Sequence, residues 1–278
     1  MSYGDTIELR KENFIEGMIA MTNLALAHVV EAKDNVIHFD FINGGKGKSN
    51  TRNPLENMAG KDSEVYAFKT KEEISSMINV FDKHINEATN DHQRQIACRN
   101  KMLFIIGINV GIRGSDLRTL QWSFFFEENV NGNLKFRDFY TLQPMKQRKQ
   151  KKYVKLHFNQ AVRQAILNYV EEYPIENLND YLFASRKGDE PINVRSLWRI
   201  IKEAAAEAGI QQNIGSHSLR KTFGKFIYDN AENKTEVLVL LQSIFNHSSP
   251  SVTAKYIGIT DENIAETFNN LNLGLDMI

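Results

Sequence analysis

Cysteine is nearly absent from this chain of 278 residues, where Cys98 stands alone. One thiol cannot close an internal disulfide, and a single free cysteine fits a reducing compartment. No apolar run approaches the roughly 20 residues of a membrane span. The opening MSYGDTIELRKENF lacks the basic-then-apolar order of a secretory signal. The expectation is a cytoplasmic protein with no membrane partner. Net charge is missing too, since 34 basic residues balance 34 acidic ones. Taken alone, that balance speaks against a nucleic-acid partner, so the case for one rests on where the charges sit. No ligand cluster has zinc or magnesium spacing, so no metal and no cofactor is expected. Gly47-Lys48-Ser49, after the strand-like VIHFDFI, tempts a phosphate-loop reading. That loop needs glycine where Ile42 stands, and Pro54 interrupts the helix that should follow, so a basic loop is the plainer reading.

What is present suffices for a folded core: 42% of residues are hydrophobic, and the 24% charged fraction argues against disorder. A helical pattern runs through NFIEGMIAMTNLALAHVVEAK, with Phe14, Met18, Leu24 and Val29 among its apolar members. Thr70-Lys71-Glu72-Glu73 reads as a capping box before Ile74, Met77, Ile78 and Phe81 at helical spacing. A more apolar helix follows from about Arg94 to Val110. WSFFF, LKFRDFYTL and KKYVKLHF then read as three strands of one small antiparallel sheet, with Asn131-Gly132 as a turn signal. The rest is helical. Ala161, Ala165, Ile166, Tyr169 and Val170 form one core stripe, and Leu197, Ile200, Ile201, Ala204 and Ala208 another; LVLLQSIF reads as a buried helix. The expected fold is mainly α with a small antiparallel sheet.

Chemistry concentrates in the last quarter, SHSLRKTFGKFIYDNAENKTEVLVLLQSIFNHSSPSVTAKYIG. On a helix His217 and Arg220, three apart, share a face and can converge on one small anion such as a phosphate. Ser249 as N-cap and Pro250 at N1 begin a short helix between His247 and Tyr256. Two histidines, an arginine and a tyrosine suggest acid/base and phosphate-oxygen work, with the tyrosine as nucleophile. A second signal is the loop around QPMKQRKQ. From Lys135 to Lys155 the basic residues are Lys135, Arg137, Lys146, Arg148, Lys149, Lys151, Lys152 and Lys155, against the single acidic Asp138. Such an excess is either a phosphate-backbone contact or a solvated turn guarded by lysines.

His217-x-Leu219-Arg220-x-Thr222-Phe223, then Asn246-His247-Ser248-Ser249, then Tyr256, resembles the signature of the tyrosine recombinase, or phage integrase, family. Gly111-Ile112-Arg113-Gly114-Ser115-Asp116-Leu117 matches the family's G-x-R-x-x-[DE]-L motif. One departure is Phe245-Asn246-His247, where the family usually has Leu-Gly-His; asparagine tolerates the left-handed backbone that glycine would supply.

The resemblance implies a catalytic domain over residues 65–278. Residues 1–64 would form a partial helical segment, like the end of the family's core-binding domain, and a linker. It also implies DNA cleavage and rejoining through a 3′-phosphotyrosine, with Tyr256 as nucleophile and Arg113, Arg220, His217 and His247 around the phosphate. Asp116 would be the acidic residue that orients its neighbours. The leaving-group lysine lies on the hairpin: Lys146 by register, with Lys149 as the alternative. Arg148, Lys149, Lys151 and Lys152 would contact double-stranded DNA. A homo-tetramer on DNA is implied, its C-terminal tail exchanged between protomers, with accessory DNA-bending proteins as further partners. The leading reading is a site-specific recombinase, such as a mobile-element integrase. A type IB topoisomerase-like relaxing enzyme and a non-catalytic DNA-binding protein on the same fold are the alternatives.

Overall fold

The computed structural model describes residues 64–130, 132–146, 152–185 and 190–259. The helical pattern expected before residue 64, Arg148, Lys149 and Lys151, and the C-terminal stripe lie outside them.

Helix α1, Lys71–Asn86, starts at Thr70, whose hydroxyl accepts the Glu73 N–H at 3.2 Å. Glu73 reaches one residue further back than a capping box requires, accepting the Lys69 N–H at 2.6 Å. Helix α2, Asp91–Val110, is capped by Asn90 and stops at Gly111, whose φ of 64° is left-handed. It buries Met102, Leu103, Phe104, Ile106 and Val110. Phe104 meets Phe68 and Phe81 with ring centroids 5.6 Å apart in each case. Each such buried side chain contributes about 1.5–3 kcal/mol of transfer free energy.

After the short α3, Gly114–Leu117, a 3₁₀ turn at Trp122–Phe124 leads to two hairpins. Strand β1, Phe126–Glu128, pairs antiparallel with β2, Leu134–Phe136; β3, Phe139–Leu142, pairs antiparallel with β4, Val154–His157. Then come α4, Gln160–Glu172, and α5, Val194–Glu207. They are followed by α6, Ser216–Asp229, α7, Lys234–Phe245, and α8, Pro250–Ile257. Helix α2 packs against α1, α4 and α6, while α6, α7 and α8 pack on one another. Where α6 crosses α7 and α8 its backbone comes very close. A Cβ on Gly224 would sit 2.6 Å from Ile257 and 2.8 Å from Phe245, so only glycine lets α8 seat there.

The architecture is mainly α with small antiparallel sheets, and three readings are corrected. The three expected strands of one sheet are two separate hairpins, and Trp122–Phe124 is a 3₁₀ turn. LKFRDFYTL breaks at Arg137-Asp138 because the backbone there is used crosswise. The Arg137 N–H donates to Phe125 O at 2.7 Å, and Asp138 O accepts from Phe158 N–H at 3.1 Å. The Arg137 side chain meanwhile caps the carbonyls of Ser123 and Phe126. In α4, Val162 is buried in place of Ala161, which faces solvent. In α7, LVLLQSIF is not a buried helix. Leu241 and Phe245 face α6 and α8, whereas Val239 and Leu240 are 47% and 54% exposed, because the five consecutive apolar residues Val237 to Leu241 go all the way round a helix packed on one side.

Candidate active site

Helix α6 begins where the Gly215 N–H donates to Ser218 Oγ at 3.0 Å, and its first turns carry His217 and Arg220. Leu219 points into the core, which turns Arg220 inward. The guanidinium donates through Nη1 to the carbonyl of Gly111 and through Nη2 to that of Phe245, at 2.9 Å for the second. It lies 4.3 Å over the Phe245 ring. Arg220 therefore ties the turn before Arg113 to the turn before His247. Burial pushes its pKa down to about 10, so it stays cationic at neutral pH.

The turn before His247 has the geometry expected of asparagine. Asn246 is left-handed at φ 51°, and the His247 N–H donates to Gln242 O at 3.0 Å. His247 Nδ1 lies 3.1 Å from the buried hydroxyl of Thr253, which also donates to Ser249 O at 3.4 Å. Burial, then Arg220 and Arg113, pushes His247 down to about 4, leaving a neutral imidazole.

Ser249 caps α8 by accepting the Val252 N–H at 3.3 Å, and Pro250 opens the helix. Tyr256, two turns on, stands edge-on to Phe245 and His247, with centroids 5.6 and 5.1 Å away. Its hydroxyl is 3.5 Å from His217 Nδ1, at the outer limit of a hydrogen bond. Burial raises the phenol's pKa, and Arg220 and Arg113 pull it back. His217 is held below its ordinary pKa by burial and by Lys146, Arg220, Arg113 and Lys221. Part of its ring is open to solvent, so those four cations are the firmer cause.

Arg113 is the N-cap residue of α3, and its charge is felt at His217, Arg220, His247 and Tyr256. Asp116, in the same turn, is buried and accepts the Met145 N–H through Oδ1 at 2.8 Å. It thereby anchors the chain just before Lys146 to the arginine turn; its Oδ2 has no partner. The structure thus brings Arg113, Lys146, His217, Arg220, His247 and Tyr256 together. Lys152 is exposed two residues before β4 and is not among the residues brought to this site, and Lys149, the alternative to Lys146, lies outside the described residues. Among the described residues no three His, Cys, Asp or Glu side chains converge as metal ligands would. A cavity of about 380 Å³ lined by Trp122, Tyr169 and Tyr173 contains none of the six.

Three features were missed in the sequence. Lys221 lies with its ammonium 5.6 Å from the Tyr256 ring centroid. Thr253 braces His247. Arg195, Trp198, Arg199 and Lys202 present an exposed basic stripe on α5, and their i, i+3, i+4, i+7 spacing was the available signal. Chemically, the arrangement is a neutral phenol beside a neutral imidazole in a field of fixed cations, which suits attack on a phosphate.

The model of the Phage integrase family matches residues 70–263. The probable integrase/recombinase YoeC of Bacillus subtilis (strain 168) is 36% identical over 164 residues, covering 59% of this chain and 80% of the relative. The tyrosine recombinase XerA of Pyrococcus furiosus is 24% identical over 208 residues, covering 73% of this chain and 61% of the relative. Among solved structures, XerH site-specific recombinase bound to palindromic difH substrate aligns with a TM-score of 0.52 at 20% identity, over 74% of this chain and 53% of that one. XerA recombinase aligns with a TM-score of 0.52 at 19% identity, over 79% and 68%. These structures share the fold. Among the described residues no helix is long and apolar enough to cross a membrane. The family model thus runs from the capping residue of α1 to beyond Tyr256, and this chain belongs to the phage integrase family, the tyrosine recombinases.

Proposed function

We propose that the chain carries out site-specific recombination of double-stranded DNA, cutting and rejoining strands through a covalent 3′-phosphotyrosine. The observation that carries this reading is the Tyr256 hydroxyl 3.5 Å from His217 Nδ1, inside the field of Arg113 and Arg220. Tyr256 Oη attacks phosphorus as its proton passes to neutral His217, and the bond from phosphorus to the 5′-oxygen breaks. Lys146 gives that oxygen its proton. Arg113 and Arg220 bind the non-bridging oxygens, where charge accumulates, and His247 adds a hydrogen bond. Rejoining runs the same steps backwards with a 5′-hydroxyl from another strand. One phosphoester replaces another, so no nucleotide is consumed. The test is capture of the full chain on a nicked suicide duplex as an SDS-resistant adduct.

The basic hairpin residues Arg148, Lys149, Lys151 and Lys152, with the stripe on α5, would track the phosphate backbone. The role of Lys146 has its own test. Lys146→Ala is expected to slow cleavage by about 10²–10⁴-fold. A substrate with a 5′-bridging sulfur, whose leaving group needs no proton, should restore the rate. Failure of the rescue would move the role to Lys149 or elsewhere.

Assembly belongs to the same reading. In the sequence after Asp261, Ile264, Phe268, Leu271 and Leu275 recur at helical spacing. Val239, Leu240 and Val252 are exposed at 47%, 54% and 44% on α7 and α8. Exchange of the tail onto this face of a neighbouring protomer would build a tetramer on two duplexes. A chain ending at Thr260 should then bind DNA as a monomer in size-exclusion and gel-shift measurements. A tetramer formed by that truncated chain would show that the tail packs on its own domain. Residues 1–64 would form the separate helical segment and linker, and a cytoplasmic location fits the lone cysteine.

A further inference from the structure

A strap of extended chain, residues 64–69, lies along the start of α6. The Tyr66 N–H donates to Asn213 O at 2.9 Å, and Asn213 Nδ2 donates back to Glu64 O at 2.8 Å. The Phe68 N–H donates to Thr222 Oγ1 at 2.9 Å, with the Phe68 ring fully buried. Beside Thr222 is Lys221, its side chain 10% exposed, which donates to Glu64 Oε1 at 2.9 Å. The same ammonium sits 5.6 Å from the Tyr256 ring centroid. The strap that carries the chain out of the catalytic domain thus ends on a lysine facing the nucleophile.

We propose that Lys221 is a positioning residue that makes Tyr256 easier to ionise, and that Glu64 sets the strength of this effect by partly neutralising Lys221. The inference rests on the reading of Tyr256 as nucleophile. A phenolate spreads charge into its ring, so a cation facing the ring stabilises the ionised form more than the neutral one. The other charged or titratable groups facing Tyr256 are His217, Arg220, Arg113 and His247. The arginines bear on the oxygen and its phosphate. Among the described residues Lys221 is the one cation whose contact is to the ring, and the one held by a carboxylate from the strap. Because Glu64 is 57% exposed, its hold is solvent-screened, and a shift of the strap would change the field at Tyr256 without moving a residue that touches the phosphate.

The experiment is single-turnover cleavage of a nicked suicide duplex by the full chain across pH, in wild type, Lys221→Met, Lys221→Arg, Glu64→Gln and the Lys221→Met/Glu64→Gln double variant. The ascending limb, which reports the coupled Tyr256–His217 pair, should move up by roughly half a unit or more in Lys221→Met and down by roughly half a unit in Glu64→Gln. The double variant should match Lys221→Met, since Glu64 acts through Lys221, and Lys221→Arg should keep the wild-type limb. A salt bridge that only holds the strap would change rates and leave every limb in place, and that result overturns the proposal. So does a Glu64→Gln shift that persists without Lys221. If Lys221→Met does not fold, Glu64→Gln alone decides by the direction of its limb, because the side chain it alters is largely solvent-exposed. Absence of any adduct in the wild type sinks the function proposed above and this inference with it; adducts with superimposed limbs sink this inference alone.

Discussion

Tyr256→Phe is expected to eliminate the covalent protein–DNA adduct while changing duplex affinity by less than about threefold, the range of a substitution that removes no buried packing. The ring keeps its edge contacts with Phe245 and His247, so α8 stays seated on α6. What is lost is the oxygen 3.5 Å from His217. Folding should cost about 1 kcal/mol at most, the worth of one hydrogen bond. The readout is SDS-resistant protein on a labelled suicide duplex, beside a gel shift under the same salt. An adduct that survives in the phenylalanine variant removes Tyr256 as the nucleophile. Loss of both adduct and binding would show instead that the ring's hydroxyl holds the site together.

The second large effect is expected from Arg220→Lys, a change that keeps the charge. Lysine is a point donor and cannot bridge the carbonyls of Gly111 and Phe245, which the guanidinium fork joins. Nor can it lie flat over the Phe245 ring. The single-turnover cleavage rate should fall by about 10³-fold, the order seen when one preorganised donor to a developing anion is removed. The melting temperature should also fall, because two buried carbonyls lose their donors at about 1–3 kcal/mol each. Rates measured well below the variant's melting transition separate the two effects. A rate within tenfold of wild type would mean that positive charge alone suffices and that the fork is structural.

The candidate site was legible because it is made of residue types that rarely coincide. His217 and Arg220 are three apart before a helical run, and Pro250 marks where the helix bearing Tyr256 starts. Asn246 in place of glycine could be weighed from backbone preference alone, and its left-handed conformation is what that preference allows. Lys221 was not legible. Its neighbour Arg220 turns inward, and nothing local says that Lys221 meets Glu64, a residue 157 positions away. The sheet was misread for a related reason. LKFRDFYTL alternates like one strand, but the backbone of Arg137 and Asp138 is claimed by Phe125 and Phe158, partners that only the fold supplies. The same holds for α7, where an all-round apolar sequence says nothing about which side is covered.

Phe245 has a consequence for how this enzyme can vary. One ring lies under Arg220, edge-on to Tyr256, and tilted against His247 and Phe223 at 5.3 and 6.1 Å. The carbonyl of the same residue accepts from Arg220, and its ring tip, with Ile257, forbids a side chain at Gly224. Arg220 on α6, His247 in the turn after α7 and Tyr256 on α8 therefore all take their positions against one residue. Substitutions at 220, 247 and 256 share this partner, so their energetic effects should be strongly non-additive. Neutral drift at any one of them is constrained by the others. Grafting the His247–Tyr256 segment into a relative that carries leucine in place of Phe245 would transplant the reactive groups without the surface that registers them.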